Sequence, residues 1–163
     1  MKKLLLIVAL VAISMGAYAQ TGSKSALVKA GYQTDYERFG IGLEGRYNFT
    51  DNIRFAPDVT FFFPKNHTTG LDININAHYV FPIQDGLSLY PLAGFAVVNN
   101  RVSSVDIPGL GKTDSFGNTD FGFNLGFGGS YDITDNGFVN AELKYTFQDV
   151  DCATFMIGYG VKF

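Results

Sequence analysis

Cysteine is nearly absent from this 163-residue chain, tryptophan is missing altogether, and histidine occurs twice. A single Cys, Cys152, cannot build a disulfide framework or a four-cysteine zinc site. Charge is also scarce, at 17% of residues, with 12 Lys+Arg against 15 Asp+Glu dispersed along the chain. No basic stripe is available to track a phosphate backbone, so nucleic acid is not an expected partner. The longest apolar run, residues 4–13, is about half of the roughly 20 residues that a membrane-spanning helix needs. What the chain has in quantity is Gly (19), Phe (16) and Tyr (9), within a hydrophobic fraction of 47%. Such a chain has ample apolar surface to bury, which excludes disorder, and its length suits a single domain.

The N-terminus sets the compartment. Lys2 and Lys3 precede the run from Leu4 to Ile13, and Ala17-Tyr18-Ala19 follows. This is the pattern of a secretory signal peptide over 1–19 with an A-x-A cleavage site. The exported domain then covers 20–163 and is mildly acidic.

That domain reads with period two, the period of a strand. Phe39, Ile41, Leu43, Tyr47 and Phe49 alternate with Gly40, Gly42, Glu44, Arg46 and Asn48. Leu71, Ile73, Ile75, Ala77, Tyr79 and Phe81 alternate with Asp72, Asn74, Asn76 and His78, and Phe121, Phe123, Leu125, Phe127 and Tyr131 with Asp120, Gly122, Asn124, Gly126, Gly128 and Ser130. The same holds for 139–147 and 155–163. Weaker patterns near 26–33, 53–63 and 87–98 bring the expected total to eight strands. Thr50-Asp51-Asn52, Gln84-Asp85-Gly86 and Thr134-Asp135-Asn136 are tight-turn sequences, and Tyr47–Asn52 repeats as Tyr131–Asn136. Longer connections are expected at 34–38, 64–70, 99–118 and 148–152. Short turns at one end and longer loops at the other describe an all-β, antiparallel up-and-down transmembrane barrel.

Alternation leaves open which face looks inward, so a soluble lipocalin-like ligand-binding barrel is the competing fold. Volume separates the two. More than a dozen of the 16 Phe and 9 Tyr lie on the apolar face, too much for the interior of an eight-stranded barrel, which its own side chains just fill. The glycine-rich polar face suits a narrow lumen. Phe61, Phe63, Phe147 and Phe155 at one end and Tyr47, Phe49, Tyr79 and Tyr131 at the other are candidates for aromatic girdles. Pro57 and Pro91 fall inside expected strands, where each removes a ladder donor, so bulges or early strand ends are expected there. The fifth strand is ambiguous, because Tyr90, Leu92, Ala96 and Val98 are apolar on the lumen side.

The terminal Gly158-Tyr159-Gly160-Val161-Lys162-Phe163 combines glycine, alternating hydrophobics and a final aromatic. With the eight-strand architecture of 20–163, it resembles the small outer-membrane β-barrel proteins of the OmpA/OmpX type, a porin-like superfamily of Gram-negative bacteria. Gly158, Val161 and Phe163 correspond to the C-terminal signal read by the barrel assembly machinery; Met156 departs from the polar residue usual in that position. The resemblance implies an outer-membrane location with both termini periplasmic, a monomer in a bilayer with lipopolysaccharide, and no particular activity.

With inward even positions, and Lys29 from the first strand, the lumen holds Lys29, Glu44, Arg46, Arg54, Asp58, Asp72, Asp120, Glu142, Lys144 and Lys162. Equal numbers of acids and bases in a narrow interior should pair, since an isolated buried charge is costly. The expectation is a filled, salt-bridged lumen, with a structural or surface-interaction role such as adhesion through external loops. A small ion or solute channel through the same groups is the alternative. Arg101, Asp106, Lys112 and Asp114 in the longest loop are the candidate contacts for an extracellular ligand or host surface. No Ser/His/Asp constellation is present, and His67 and His78 lack neighbours at metal-ligand spacing. Neither enzymatic activity nor a metal or other cofactor is expected. Gly40–Gly45 spells G-x-G-x-x-G, but inside a strand, without the helix a dinucleotide site requires. Cys152 is expected to be a free thiol in the last outer loop.

Overall fold

A computed structural model describes residues 22–65, 68–84, 86–102, 106–107, 111–112 and 116–163. The expected signal segment 1–19, His67 and Asp114 lie outside the described residues. The strands are β1 (Lys24–Gln33), β2 (Arg38–Asn48), β3 (Ile53–Lys65), β4 (Thr68–Tyr79), β5 (Phe81–Gln84), β6 (Leu87–Val102), β7 (Asp106–Ile107), β8 (Gly111–Lys112), β9 (Phe116–Asp132), β10 (Gly137–Phe147) and β11 (Cys152–Lys162). Eight of them, β1, β2, β3, β4, β6, β9, β10 and β11, pair antiparallel with their neighbours in the chain. β1 meets β11 to close an up-and-down barrel. β5 is a short hairpin partner at the start of β6, and β7 pairs with β8.

Period two makes this closure favourable. Ile41, Leu43, Ile73, Ile75, Phe127 and Ile157 point outward, while Glu44, Arg46, Asn74, Asn76 and Asn124 are buried inside. Inward positions are even on β2, β3, β4, β6, β9, β10 and β11 and odd on β1, where Leu27, Lys29 and Gln33 face in. The repeated turn sequences fold alike. Phe49 N–H donates to Ile53 O and Ile133 N–H to Gly137 O. The Thr50 and Thr134 hydroxyls accept from Ile53 N–H and Gly137 N–H in the same way. A side-chain acceptor three residues before a strand start pre-forms the turn.

Neither Pro57 nor Pro91 causes a bulge or ends its strand. Pro57 pairs with Ile75, and the β2–β3 ladder lapses between Glu44↔Asp58 and Tyr47↔Phe55 and resumes in the same register. Pro91 lies one residue beyond the last β4–β6 pair, His78↔Leu92, and stays in register with Phe127 on β9. In each case the missing donor falls on a side where no ladder bond is being made. The irregularity in β3 comes later, between Phe62 and Lys65.

The end remote from the termini is lopsided. β2 pairs with β3 as far as Gly40↔Phe62, and β10 with β9 as far as Phe147↔Phe123. β3, β4, β6 and β9 continue past that level, through Lys65↔Thr68, Thr68↔Val102 and Val102↔Phe116. The connections expected at 64–70 and 99–118 are therefore largely strand. Above Gly122, β9 pairs with β6 alone among the described residues, which leaves one backbone edge of a raised sheet open.

Candidate functional site

The register brings long polar side chains together across the interior. Glu44 faces Asp58 directly, and Lys29 lies between Gly42 and Gly158, which leave room for it to reach inward. Lys29, 1% exposed, places Nζ 2.8 Å from Glu44 Oε2, 3.3 Å from Asp58 Oδ2 and 3.7 Å from Glu142 Oε1. Arg46 Nε donates to Glu44 Oε1 at 2.6 Å, and Lys144 Nζ lies 3.9 Å from Asp58 Oδ2. Asp58 accepts further from Thr60 Oγ1, Asn74 Nδ2 and Asn76 Nδ2. Asn124 Nδ2 continues the chain to Asn74 and Asn76, and Thr146 donates to Asn124 Oδ1 at 2.8 Å. Five or more hydrogen-bonded groups in a low-dielectric interior hold one another in place, because leaving any one unpaired costs its desolvation.

Toward the terminal end the network meets Tyr90. Arg46 Nη2 donates to Tyr90 Oη and Asn140 Oδ1, and Tyr90 Oη donates toward Asn140 Oδ1 and Glu142 Oε2. The Arg54 guanidinium sits 4.5 Å from the Tyr90 ring centroid, and His78 stacks parallel to that ring at 4.4 Å. A Cβ on Gly128 would lie 2.5 Å from Tyr90 Oη, so glycine is required where that ring lies against β9.

Glu44, His78 and Glu142 place ligand atoms within 4.8 Å of one another, close enough to share a cation. Arg54 donates to His78 Nδ1 through Nε at 3.2 Å and Nη2 at 3.0 Å. A guanidinium can only donate, so Nδ1 is the acceptor and the ring proton sits on Nε2. A cation would need that nitrogen's lone pair, and it would sit beside Lys29 and Arg46, which already hold Glu44. The donor set does not fit a metal.

A family profile described as the outer membrane protein beta-barrel domain matches residues 5–163. The chain belongs to the outer-membrane β-barrel proteins. This barrel resembles Neisserial surface protein A, at 21% identity and TM-score 0.67 over 90% of this chain and all of that one. It also resembles Ail, the attachment invasion locus protein of Yersinia pestis, solved in complex with the heparin analogue sucrose octasulfate, at 23% identity and TM-score 0.63 over 88% of this chain and all of that one. The N-terminal barrel domain of Pseudomonas aeruginosa OprF matches at 18% identity and TM-score 0.63, over 88% of this chain and all of that one. No curated protein sequence matches significantly. The outward Phe, Ile, Leu and Val of this outer-membrane barrel thus face bilayer hydrocarbon, the termini lie at the periplasmic end, and the raised sheet stands at the extracellular end.

Of the charges expected in the lumen, the barrel brings together Lys29, Glu44, Arg46, Asp58, Glu142 and Lys144. Arg54 is buried beside them but bonds His78 and Tyr90 instead of an acid. Asp72 is buried with no ion pair among the described residues, and its Oδ1 has no partner. Asp120 and Lys162 do not join the network. Asp120 accepts from Asn118 at the outer rim, and Lys162 pairs with Asp132 at 2.5 Å at the periplasmic rim, both side chains partly exposed. Reading the sequence missed Arg38, which is buried at the extracellular mouth. Its even number was the available signal. Cys152 is not in a loop; it opens β11 and is fully buried. Tyr90, Leu92, Ala96 and Val98 do face inward, as an apolar seam along β6.

On the outside, Arg101 is exposed on β6, with its backbone paired to Thr69 and Gly117. Asp106 and Lys112 stand opposite one another across β7 and β8. Lys65 pairs with Glu37 at 2.6 Å, and this bond holds the Glu37 carboxyl below its usual range. Gly158 packs inward against Leu27 and Lys29, while Val161 and Phe163 face the bilayer side.

Proposed function

We propose that this protein acts at the cell surface, where the raised sheet of β3, β4, β6 and β9 and the β7–β8 pair between β6 and β9 in the chain bind an extracellular ligand or host surface. The observation that carries this reading is the backbone edge of β9 over 117–121, paired on one side only among the described residues. An open strand edge offers a row of donors and acceptors to an incoming chain. Lys65, Arg101 and Lys112 add cations suited to sulfated or phosphorylated glycans, including lipopolysaccharide. The Ail complex with a heparin analogue supports that ligand chemistry by analogy of fold.

In this reading the interior is a filled, salt-bridged plug that holds the barrel rigid rather than a conduit. Export uses the signal over 1–19, and assembly uses Gly158, Val161 and Phe163; the folded barrel acts as a monomer. Replacing 103–115 by a short Gly-Ser linker tests the surface role. Binding to host cells or immobilised heparin is expected to fall to background while the heat-dependent gel mobility of the barrel is retained. Undiminished binding by the shortened protein would overturn it. The small-channel reading predicts discrete conductance in planar bilayers that Glu44→Gln alters.

A further inference from the structure

The extracellular mouth is spanned by one side chain and its partners. Arg38, the first residue of β2, is 2% exposed. Its guanidinium lies between the Tyr36 ring, 4.4 Å from the centroid, and the Phe62 ring, 4.8 Å away. Nε donates to Gln33 Oε1 at 2.7 Å and Nη2 to Asn100 Oδ1 at 2.8 Å. Asn100 Nδ2 in turn reaches Tyr36 Oη at 3.3 Å, and Gln33 Nε2 reaches Cys152 Sγ at 3.2 Å. Gly70 forms the wall beneath the guanidinium, which a Cβ there would displace. Groups from β1, β2, β3, β4, β6 and β11 therefore meet over the interior, in a line from Asn100 to Cys152. The turn that carries Arg38 is tight, with Glu37 at a φ of 46° and its N–H on Thr34 O. Outside, the Glu37–Lys65 pair ties that turn down to the end of β3.

Three features distinguish this closure from the charge network below it. Arg38 has no carboxylate within ion-pair distance among the described residues, and its Nη1 has no partner. Its partners are neutral amides and aromatic faces. The turn just before it is exposed at Thr34, Asp35 and Glu37, so the guanidinium can exchange these contacts for hydration without crossing the interior. Beneath it lie polar groups with spare capacity: Asp72, whose Oδ1 is unpartnered, and Lys144, no nearer than 3.9 Å to an acid.

We propose that Arg38 is a reversible latch that closes the barrel interior to solutes from the extracellular side. The latch is separate from the surface-binding role, since a partner can occupy the raised sheet whether the mouth is open or shut. Cys152 reports on it, being the sole thiol of the chain and buried one contact away through Gln33. With the full protein folded in lipid vesicles, a membrane-impermeant sulfonated methanethiosulfonate reagent is added and the modification rate of Cys152 measured. The wild-type thiol is expected to react far more slowly than in the urea-unfolded chain. Arg38→Ala, which removes both of its hydrogen bonds, should speed the reaction by about tenfold or more, the factor that a loss of ~1.4 kcal/mol sets on an opening equilibrium. Phe62→Ala, which removes one ring and leaves the Arg38 hydrogen bonds, should give a smaller increase and serves if Arg38→Ala does not fold. Heat-dependent gel mobility identifies folded samples. A wild-type thiol as reactive as the unfolded one, or folded variants no faster than wild type, would overturn the latch.

Discussion

Replacing Lys29 by Met tests the interior network at its centre. The substitution keeps an unbranched side chain of similar length and deletes the one cation that touches Glu44, Asp58 and Glu142 together. Afterwards Glu44 retains Arg46 at 2.6 Å and Asp58 retains three neutral donors, but Glu142 is left with the Tyr90 hydroxyl at 3.0 Å. Removing one partner of a buried ion pair costs about 3–5 kcal/mol, because the other charge stays buried without compensation. Lys144, at 3.9 Å from Asp58, can move closer and recover part of this, so about 3 kcal/mol is the expected loss. That is a large share of the roughly 5–15 kcal/mol that stabilises a domain. Urea unfolding in phospholipid vesicles, followed by tyrosine fluorescence and by heat-dependent gel mobility, measures it. The paired variant Lys29→Met with Glu142→Gln removes the uncompensated charge and should recover about 1–2 kcal/mol of the loss, within the range of coupling between contacting residues. A Lys29→Met barrel within ~1 kcal/mol of wild type would refute the reasoning, since it would mean water already screens these charges.

Three further outcomes follow from the fold. Ile75→Arg places a cation on the bilayer face of β4 near mid-barrel and should cost about 2–4 kcal/mol in the same assay, whereas Phe49→Arg at the periplasmic rim should cost about 0–1; equal costs would argue against the assigned lipid face. Gly128→Ala drives a Cβ to 2.5 Å from Tyr90 Oη and 2.9 Å from Ala141 O, so overpacking of about 1–3 kcal/mol is expected, read as a lower urea midpoint. Lys65→Ala should leave that midpoint unchanged at neutral pH, because both partners of the Glu37–Lys65 pair are exposed. Since Lys65 lowers the Glu37 pKa, whatever the pair contributes is present above the ordinary carboxylate pKa and lost as pH falls below it through the lowered Glu37 pKa.

Period two assigns a residue to a face, and here it did so through nearly every strand of the barrel. It does not assign depth. Asp120 and Lys162 obey the same parity as Glu44 and Glu142, yet lie at the rims, where Asp120 accepts from Asn118 and Lys162 pairs with Asp132 instead of joining the interior network. Arg38 escaped notice because the segment before it reads as a connection. Once β2 is seen to start at Arg38, its even position places it inward with Gly40 and Glu44. The seam of Tyr90, Leu92, Ala96 and Val98 was ambiguous because β6 is apolar on both sides, which erases alternation. Among the described residues the upper parts of β6 and β9 bury only Asn100, too little to pattern them, so their polar composition read as loop although their backbones pair. Pro57 and Pro91 were tolerated by ladder gaps on one side, a matter of inter-strand register that no single segment encodes.

The open edge of β9 has a consequence at the scale of the membrane. Outer-membrane proteins of one kind share orientation and height, so identical edges on neighbouring copies meet at the same level in a crowded, two-dimensional array. A flat apolar edge there would zip molecules into sheets. Gly117, Asn118 and Thr119 are exposed and Asp120 is partly so, a hydrated stretch whose carboxylate repels its own image in another copy. On the proposed surface role, such a composition disfavours pairing with its own copy and favours a strand that brings the opposite charge.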